Sequence, residues 1–252
     1  MAKIIASNNH LESDMRALKQ SRLKNWGYML GLMFIGGFLH MTLLPLIGGI
    51  IAIALMLIPA KKVQTIEQNI NILASGLAGE KQTLQIFKNL PDSYVVISDL
   101  EIEAEGKKSQ LDHVIIGGNG IFVVETKNLN GLILGNADDH QLTQSKVGRG
   151  GTPYSKTFYN PIKQVSTHVF RLSRLLKENG LDEWIQGAVY FSNPECQVAI
   201  QQIASVPVFD FRDARGMLEF IVSYKGKRQI SPTNQRAIEA LLTKTIHNKV
   251  SA

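Results

Sequence analysis

The stretch Gln110-Leu-Asp-His-Val-Ile-Ile-Gly-Gly-Asn-Gly-Ile-Phe-Val-Val-Glu-Thr-Lys127 decides how the centre of this chain folds. Two apolar runs, 114–116 and 121–124, flank the turn residues 117–120. Short apolar runs on either side of glycine and asparagine are typical of a β-hairpin. The sequence therefore predicts two antiparallel strands joined at residues 117–120.

The register of this hairpin brings four polar side chains to one face. Counting outward from a four-residue loop places Asp112 opposite Glu125, and Gln110 opposite Lys127. Residues two apart on a strand share a face, and the Cβ atoms of the facing acids are then roughly 5 Å apart. Carboxylates so placed repel each other and need a cation. The alternative is a solvated hairpin end, or an exposed ion pair of Lys127 contributing under about 1 kcal/mol. Because the acids abut apolar strand runs, we favour a site.

Several motifs, in this order, resemble those of the nuclease-related domain (NERD), a branch of the PD-(D/E)xK nuclease-like group. The resemblance covers about Ala74 to Asn179. The motifs are Gly79-Glu80 on a first helix, Gln110-Leu111-Asp112-His113, Glu125-Thr126-Lys127 with Gly131 behind it, and Asn160-Pro161 followed by Gln164. The chain departs from the family pattern after Gly135, where the polar run 136–144 replaces an expected aromatic residue, usually Trp.

The resemblance implies an α/β fold with a restriction-endonuclease-like mixed sheet flanked by helices. It also implies a metal-dependent nuclease that hydrolyses phosphodiester bonds in DNA or RNA, with Mg²⁺ or Mn²⁺ as cofactor. Asp112, Glu125 and Glu80 would hold the metal through hard carboxylate oxygens. Lys127 would stabilise negative charge or orient the attacking water, and Gln110 would hydrogen-bond the phosphate or the water. The hairpin geometry alone supplies only the convergence of four of these five residues, without Glu80.

The formal charge of +6 is unevenly distributed. Residues 1–62 hold seven Lys and Arg against two acids, and residues 140–177 hold seven against none. We predict that this second basic strip contacts nucleic acid, and the alternative for its helical part is an ordinary solvated face. The predicted contacts are Lys146, Arg149, Lys156, Lys163, Arg171 and Arg174. No aromatic-rich platform for single strands and no zinc-ligand cluster is evident in the sequence.

The segment from Trp26 to Ala60 runs for thirty-five residues without a charge at neutral pH. One straight helix of that length would measure about 52 Å, against a hydrocarbon core of about 30 Å. We therefore predict a transmembrane helical hairpin that turns near residues 40–45, with a single tilted span as the alternative. Basic residues on both sides, within 16–24 and at 61–62, favour both ends in the cytoplasm. The expected location is the bacterial inner membrane, with membrane lipid as a partner and the soluble domain in the cytoplasm.

Four segments follow from these patterns. They are a basic N-terminal segment (1–25), a membrane anchor (26–60), a linker helix (61–73) and a nuclease-related domain with a C-terminal extension (74–252). In the last segment the pattern predicts helix, strand, hairpin, helix, strand, strand and helix, with a glycine-rich loop ending near Gly151. The acidic stretch 99–105 is predicted to be solvated. Capping explains Asn160 and a helix surface explains Gln164, so both are weaker site candidates.

Two other functions are compatible with the sequence. One is a membrane-tethered protein that binds nucleic acid or acts as a scaffold without cutting. Its basic strip would bind phosphates with a strong dependence on salt, although two facing carboxylates oppose such binding unless a metal intervenes. The other is a membrane-organising role of the apolar hairpin, for which changes at Glu125 or Lys127 would have no effect.

Overall fold

The computed structural model describes residues 1–6, 9–42, 45–148, 150–201, 205–226 and 229–250, without the side chains of 39–40, 42–56 and 247–250. Five helices and ten strands lie in this part of the chain. The helices are α1 (His10–Thr42), α2 (Pro45–Phe87), α3 (Pro161–Glu178), α4 (Ala214–Ser223) and α5 (Pro232–Val250). The strands are β1 (Lys3–Ala6), β2 (Val95–Ala104), β3 (Lys107–Gly117), β4 (Gly120–Lys127), β5 (Gly131–Asn136), β6 (Gln141–Val147), β7 (Pro153–Tyr159), β8 (Ile185–Phe191), β9 (Cys196–Gln201) and β10 (Val208–Asp210).

The chain divides into two units, one made of residues 1–8 and 78–252 and the other of residues 9–77. The first unit contains a six-stranded sheet in the order β1-β2-β3-β4-β8-β10 and a four-stranded sheet in the order β7-β6-β5-β9. The six-stranded sheet is mixed, because β2–β3 and β3–β4 pair antiparallel while β1–β2, β4–β8 and β8–β10 pair parallel. In the second unit, Arg22 of α1 pairs with Glu67 of α2.

Helices cover both faces of the six-stranded sheet. On one face, Val114 and Val123 of the central strands share a buried cluster with Leu172 of α3 and Ile238 of α5. On the other face, Phe122 belongs to a second buried cluster, which includes side chains from the end of α2 and from α4. Burial of these apolar side chains on both faces is the main stabilising term of such a layered fold.

Two predicted elements agree closely with the structure. The β3–β4 hairpin pairs Ile116 with Ile121, as the register predicts, and the ladder continues to His113 and Val124. Helix α3 begins with Asn160 as its cap, whose side chain accepts a hydrogen bond from the backbone N–H of residue 162. A short polar side chain at this position satisfies a backbone donor that has no partner within the helix.

The prediction of one mixed sheet preceded by a transmembrane hairpin is wrong. Two sheets are present in the described part of the chain, and the predicted glycine-rich loop contains strand β6, which pairs antiparallel with β7 just beyond it. The segment is polar in composition, but one face of β6 is directed inward, and Leu142 and Gln144 on that face are fully buried. The Nε2 of Gln144 donates to the carbonyl of Asn130 at 2.6 Å, whereas its buried Oε1 accepts no hydrogen bond from the described residues. Strand β1, inside the predicted basic N-terminal segment, was also not foreseen.

The membrane part of the prediction is corrected by a separate finding. Among the helical residues described, no helix is both long enough and apolar enough to cross a membrane. Lack of charge is not the same as apolarity, because the run 26–42 includes four glycines, Trp26, Tyr28 and His40, which add little or nothing to its hydropathy. Residues 43–44 of the predicted turn lie outside the described part. The inner-membrane location and the lipid partner, which rested on this hairpin, are withdrawn.

Candidate active site

The acid and the lysine at the end of β4 lie on the sheet face that α3 covers. Lys127 Nζ donates to Glu125 Oε1 at 2.7 Å and to Gln164 Oε1 of α3 at 3.0 Å. Glu125 is almost completely buried, whereas a quarter of the Lys127 side chain is exposed. Gln164, a weaker candidate in the sequence, therefore holds the lysine from the helix side. The ammonium group links strand and helix beside a partly open surface.

Asp112 joins this group from β3. The last regular pair of the hairpin is His113 with Val124, and the next step in the register would set Asp112 opposite Glu125. At that point Asp112 Oδ2 accepts the backbone N–H of Thr126 at 2.8 Å. A side-chain acceptor thus takes a backbone donor of β4 where the ladder ends. The two acids are brought together by strand register, as the sequence predicts.

The two carboxyl groups have pKa values shifted in opposite directions. Burial raises the pKa of Asp112 well above its usual range, and repulsion from Glu125 and Glu80 adds to this, against the opposing effects of Lys127 and Thr126. Burial would also raise the pKa of Glu125, but Lys127 and His168 outweigh burial and lower it. Ionised Glu125 therefore makes ionised Asp112 unfavourable.

The ammonium of Lys127 stays protonated in this setting. Burial opposes its charge, but attraction from Glu125 and then Asp112 outweighs burial and raises the pKa of Lys127. A lysine that keeps its proton can donate hydrogen bonds to an anion and cannot serve as a general base at neutral pH.

Glu80 is brought close to the acids by the residue that precedes it. Glu80 is buried near the end of α2, and its charge contributes to the raised pKa of Asp112. A Cβ atom on Gly79 would lie 2.7 Å from both Asn128 Cβ and Ser192 Oγ. Only a glycine lets the helix approach the ends of β4 and β8 so closely. The Gly79-Glu80 motif thus has a steric reason.

Two residues that lie next to the acids of the candidate site were not predicted from the sequence. The first is Asp99, which is buried and has a φ of 57°. It lies in β2 between two residues that pair with His113 and Leu111, so it faces Asp112 of β3. Gln110 Nε2 donates to Asp99 Oδ1 at 2.6 Å, so this predicted catalytic side chain contacts β2. The only sequence signal was an aspartate two residues after the apolar run 94–97.

The second unpredicted neighbour is His168, whose Nδ1 lies 3.4 Å from Glu125 Oε2. It follows Gln164 by four residues on α3, a spacing that places both on one side of the helix. That spacing could have identified His168 once Gln164 was placed at the site.

His113, beside Asp112 in the motif, belongs to the opposite side of the sheet. Its Nδ1 lies 2.9 Å from Ser98 Oγ, and its ring packs edge-on against Phe87. Burial lowers the pKa of His113 to about 3, although the charges of Glu125 and Asp99 act in the other direction. His113 is therefore neutral and structural at ordinary pH.

The predicted nucleic-acid contacts fall into two groups. The first group lies on α3, and each of its members already has a partner. Lys163 contacts Asp138 at 3.5 Å, and Arg174 contacts Glu105 at 2.7 Å. Arg171 donates to the carbonyl of Lys108 and to Ser109 Oγ.

Lys146 and Lys156 lie on the same face of β6–β7 as buried Gln144, because Lys156 pairs with Gln144, two residues from Lys146. Lys156 is exposed and Lys146 is half-buried. Burial, and then the charge of Lys156, lower the pKa of Lys146. Arg149 lies outside the described residues. The role of all six in binding stays a prediction.

The metal assignment also stays a prediction. Across the described ranges, no three His, Cys, Asp or Glu side chains form a group arranged to hold a metal ion. One observation nevertheless fits a cation: Glu125 Oε2 is buried, and its contact with His168 Nδ1, at 3.4 Å, is too long for a good hydrogen bond. A buried carboxylate oxygen in this state is costly unless a positive charge or a donor approaches it.

Comparison with known proteins supports the family resemblance over the same region. Residues 75–192 match the family model of the nuclease-related domain. An uncharacterized protein of Bacillus anthracis is 33% identical over 105 residues, which is 41% of this chain and 47% of that protein. The chain thus aligns with less than half of this relative's length. No solved structure matches the chain significantly. The matched range contains every residue of the candidate site, and the comparisons therefore support a nuclease-related domain in this part of the chain.

Proposed function

We propose that this protein is a metal-dependent nuclease that hydrolyses phosphodiester bonds in DNA or RNA. The observation that carries the proposal is the convergence of Asp112, Glu125 and Lys127, in which the buried Oε2 of Glu125 lies 3.4 Å from His168 Nδ1, too far for a good hydrogen bond. The match of residues 75–192 to the nuclease-related domain supports the same reaction class.

The acids are suited to a hard divalent cation. Asp112 and Glu125 would hold Mg²⁺ or Mn²⁺ through their carboxylate oxygens, with Glu80 as a further contact. Once bound, the cation would polarise a phosphoryl oxygen and lower the pKa of a water molecule. The raised pKa of Asp112 reports a site in which negative charges accumulate, and added positive charge would relieve this repulsion.

Lys127 has the role of stabilising the phosphoryl group. Its ammonium has three donors, and Glu125 and Gln164 occupy two of them. The third can donate to an oxygen of the scissile phosphate, where negative charge grows as the bond to the leaving oxygen breaks. Gln164 and His168 act as positioning residues, because they contact Lys127 and Glu125 from α3.

The test is cleavage of labelled single-stranded and duplex DNA and RNA by the full chain, with Mg²⁺, with Mn²⁺ and with EDTA. Glu125→Gln and Lys127→Ala are each expected to lower the rate by about 100-fold or more. Glu219→Gln and Lys108→Ala are matched controls, because both side chains are exposed members of surface ion pairs. Equal cleavage by site variants and controls, or by samples with EDTA, would contradict the proposal.

A second candidate function is nucleic-acid binding without cleavage. The observation that favours it is the shared face of Lys146 and Lys156. Two lysines that repel each other are stabilised by a phosphate between them. In this case the folded wild-type protein cuts none of the four substrates and binds them with a steep dependence on salt. Lys146→Ala and Lys156→Ala would each reduce that dependence.

A further inference from the structure

A shallow groove of about 460 Å³ lies between α3, the residues just before β6 and the end of β7. Three ring side chains line it: His140 just before β6, Tyr159 at the end of β7, and Phe170 on α3. They are distant in the sequence, which is why no aromatic platform is evident there. Folding brings them together in one concave surface.

The rings are accessible to a ligand. Phe170 is 56% exposed and Tyr159 is 43% exposed. The ring centres of His140 and Tyr159 are 5.1 Å apart in an edge-on arrangement, which leaves ring surface open to a further planar group. Exposed aromatic side chains gathered in a concavity are typical of binding sites.

Positive charges border the same groove. Lys163 Nζ lies 3.5 Å from the carboxylate of Asp138, which is 84% exposed. An exposed ion pair of this kind is weak, so a phosphate can replace Asp138 as the partner of Lys163. Arg174 does not line the groove and pairs with Glu105 at 2.7 Å, but its guanidinium carbon lies 5.8 Å from the centre of the Phe170 ring. The groove therefore combines flat apolar surfaces with the ammonium group of Lys163, as a nucleotide strand requires.

Helix α3 carries residues of both the groove and the candidate site. Lys163, which lines the groove, precedes Gln164, which accepts a hydrogen bond from Lys127. One turn later, Thr167 lines the groove and His168 approaches Glu125. Successive residues of a helix point about 100° apart, so the groove and the candidate site lie on different sides of α3, and a strand bound at both would pass around the helix.

We propose that the groove binds unpaired bases of single-stranded nucleic acid by stacking on Tyr159 and Phe170, and that the protein prefers single strands to duplexes. The location of the strand rests on the function proposed above. In a duplex, the bases are already stacked on each other and their faces are not free. Stacking does not depend on base identity, so the groove would accept many sequences.

The experiment measures binding by the full chain in EDTA, which separates binding from metal-dependent cleavage. The probes are fluorescein-labelled oligothymidylate and oligouridylate of about 12 nucleotides, and a mixed-sequence duplex of equal length. Tyr159→Leu and Phe170→Leu keep apolar bulk and remove the aromatic face. Each variant is expected to weaken single-strand binding about tenfold and to leave duplex binding unchanged. Phe170→Tyr should bind like the wild type.

Trp184→Leu is the matched control, because Trp184 is 52% exposed and lines a different cavity. It should leave single-strand binding unchanged. A single strand containing 2-aminopurine gives a second readout, since stacking on the wild-type protein quenches its fluorescence and the two leucine variants should not quench it. Unchanged single-strand affinity in both leucine variants, or an equal loss for the duplex, would overturn the proposal.

The two proposals fail separately. If the wild type cuts nucleic acid and both leucine variants bind single strands normally, the groove assignment is overturned and the nuclease assignment stands. If no substrate is cut and the leucine variants lose single-strand binding selectively, the groove assignment is supported and the nuclease assignment is overturned.

Discussion

Nδ1 of His168 lies 3.4 Å from Oε2 of Glu125, so a histidine of α3 stands against the buried acid of β4. Burial would raise the pKa of this carboxyl group, but Lys127 and then His168 outweigh burial and lower it. The helix that carries His168 therefore helps to keep Glu125 ionised. This relationship leads to a prediction about pH.

Replacing His168 by leucine should raise the pKa of Glu125. The acidic limb of the cleavage profile would then move to higher pH, because cleavage requires the ionised carboxylate in the proposed mechanism. His168→Gln, which can donate a hydrogen bond to Glu125, should restore part of the wild-type profile. The measurement is kcat/KM from pH 4 to 9, and an unchanged acidic limb in the leucine variant would contradict the role of His168.

The same variant should change stability in a defined pH window. A carboxyl group with a lowered folded pKa stabilises the fold above its ordinary pKa of about 4.3, and this contribution is lost as the pH falls through the folded pKa. His168→Leu should thus reduce the stability difference between neutral and acidic pH. Denaturant unfolding at both pH values measures this difference.

Asp112→Asn is expected to stabilise the fold while removing activity. Folding raises the pKa of the Asp112 carboxyl group, so this group favours the folded state only while it is protonated. Its contribution to stability is fully present below the ordinary pKa of about 3.9 and is lost as the pH rises through the raised pKa of the folded state. Asparagine removes the repelled charge and can still accept the Thr126 N–H. We expect the Tm at pH 7 to rise by about 2–4 °C, with little rise near pH 4.

A divalent cation supplies the control for this prediction. Mg²⁺ should raise the Tm of the wild type by binding to the folded state, and it should have a smaller effect on the Asp112→Asn variant. Glu219→Gln removes an exposed carboxylate and should leave both quantities unchanged. A lower Tm for Asp112→Asn at pH 7 would show that its charge does not destabilise the fold.

Local patterns were sufficient where the interactions are local. The hairpin register follows from apolar runs around residues 117–120, and it brings Asp112 and Glu125 together without knowledge of the rest of the fold. Asn160 and Pro161 likewise indicate the start of α3 by their own backbone chemistry. These features depend on residues within a few positions of each other.

The features that the sequence did not predict depend on distant partners. Strand β1 pairs with β2, about ninety residues away, and β5 pairs with β9 across the whole of α3. Asp99 is buried because β2 continues past it, although the sequence pattern assigns it to the start of a solvated stretch. His168 reaches Glu125 only because α3 packs on β4. No periodicity within one segment contains this information.

Gly79→Ala should destabilise the protein and reduce cleavage. The added Cβ would meet Asn128 and Ser192 at 2.7 Å and push the part of α2 that carries Glu80 away from the strand ends. Overpacking of this kind costs about 1–3 kcal/mol. Gly76→Ala is the matched control on the same helix, since its Cβ meets only Leu11 Cδ1 at 3.4 Å. It should be neutral or stabilising by up to about 1 kcal/mol. Equal effects of the two alanines would refute the close-approach argument.

Strand β1 should be required for the stability of the unit that contains the candidate site. Lys3–Ala6 pairs parallel with Val95–Ser98, and Lys3 forms an ion pair with Glu239 of α5. Deleting residues 2–6 would expose an edge of β2 and the apolar side chains beneath Ile4 and Ile5, with a loss of about 2–4 kcal/mol. Lys3→Ala removes only the exposed ion pair and should cost less than about 1 kcal/mol. Thermal unfolding and light scattering measure both changes. A deletion variant with wild-type Tm and no added aggregation would show that the sheet is stable with β2 at its edge.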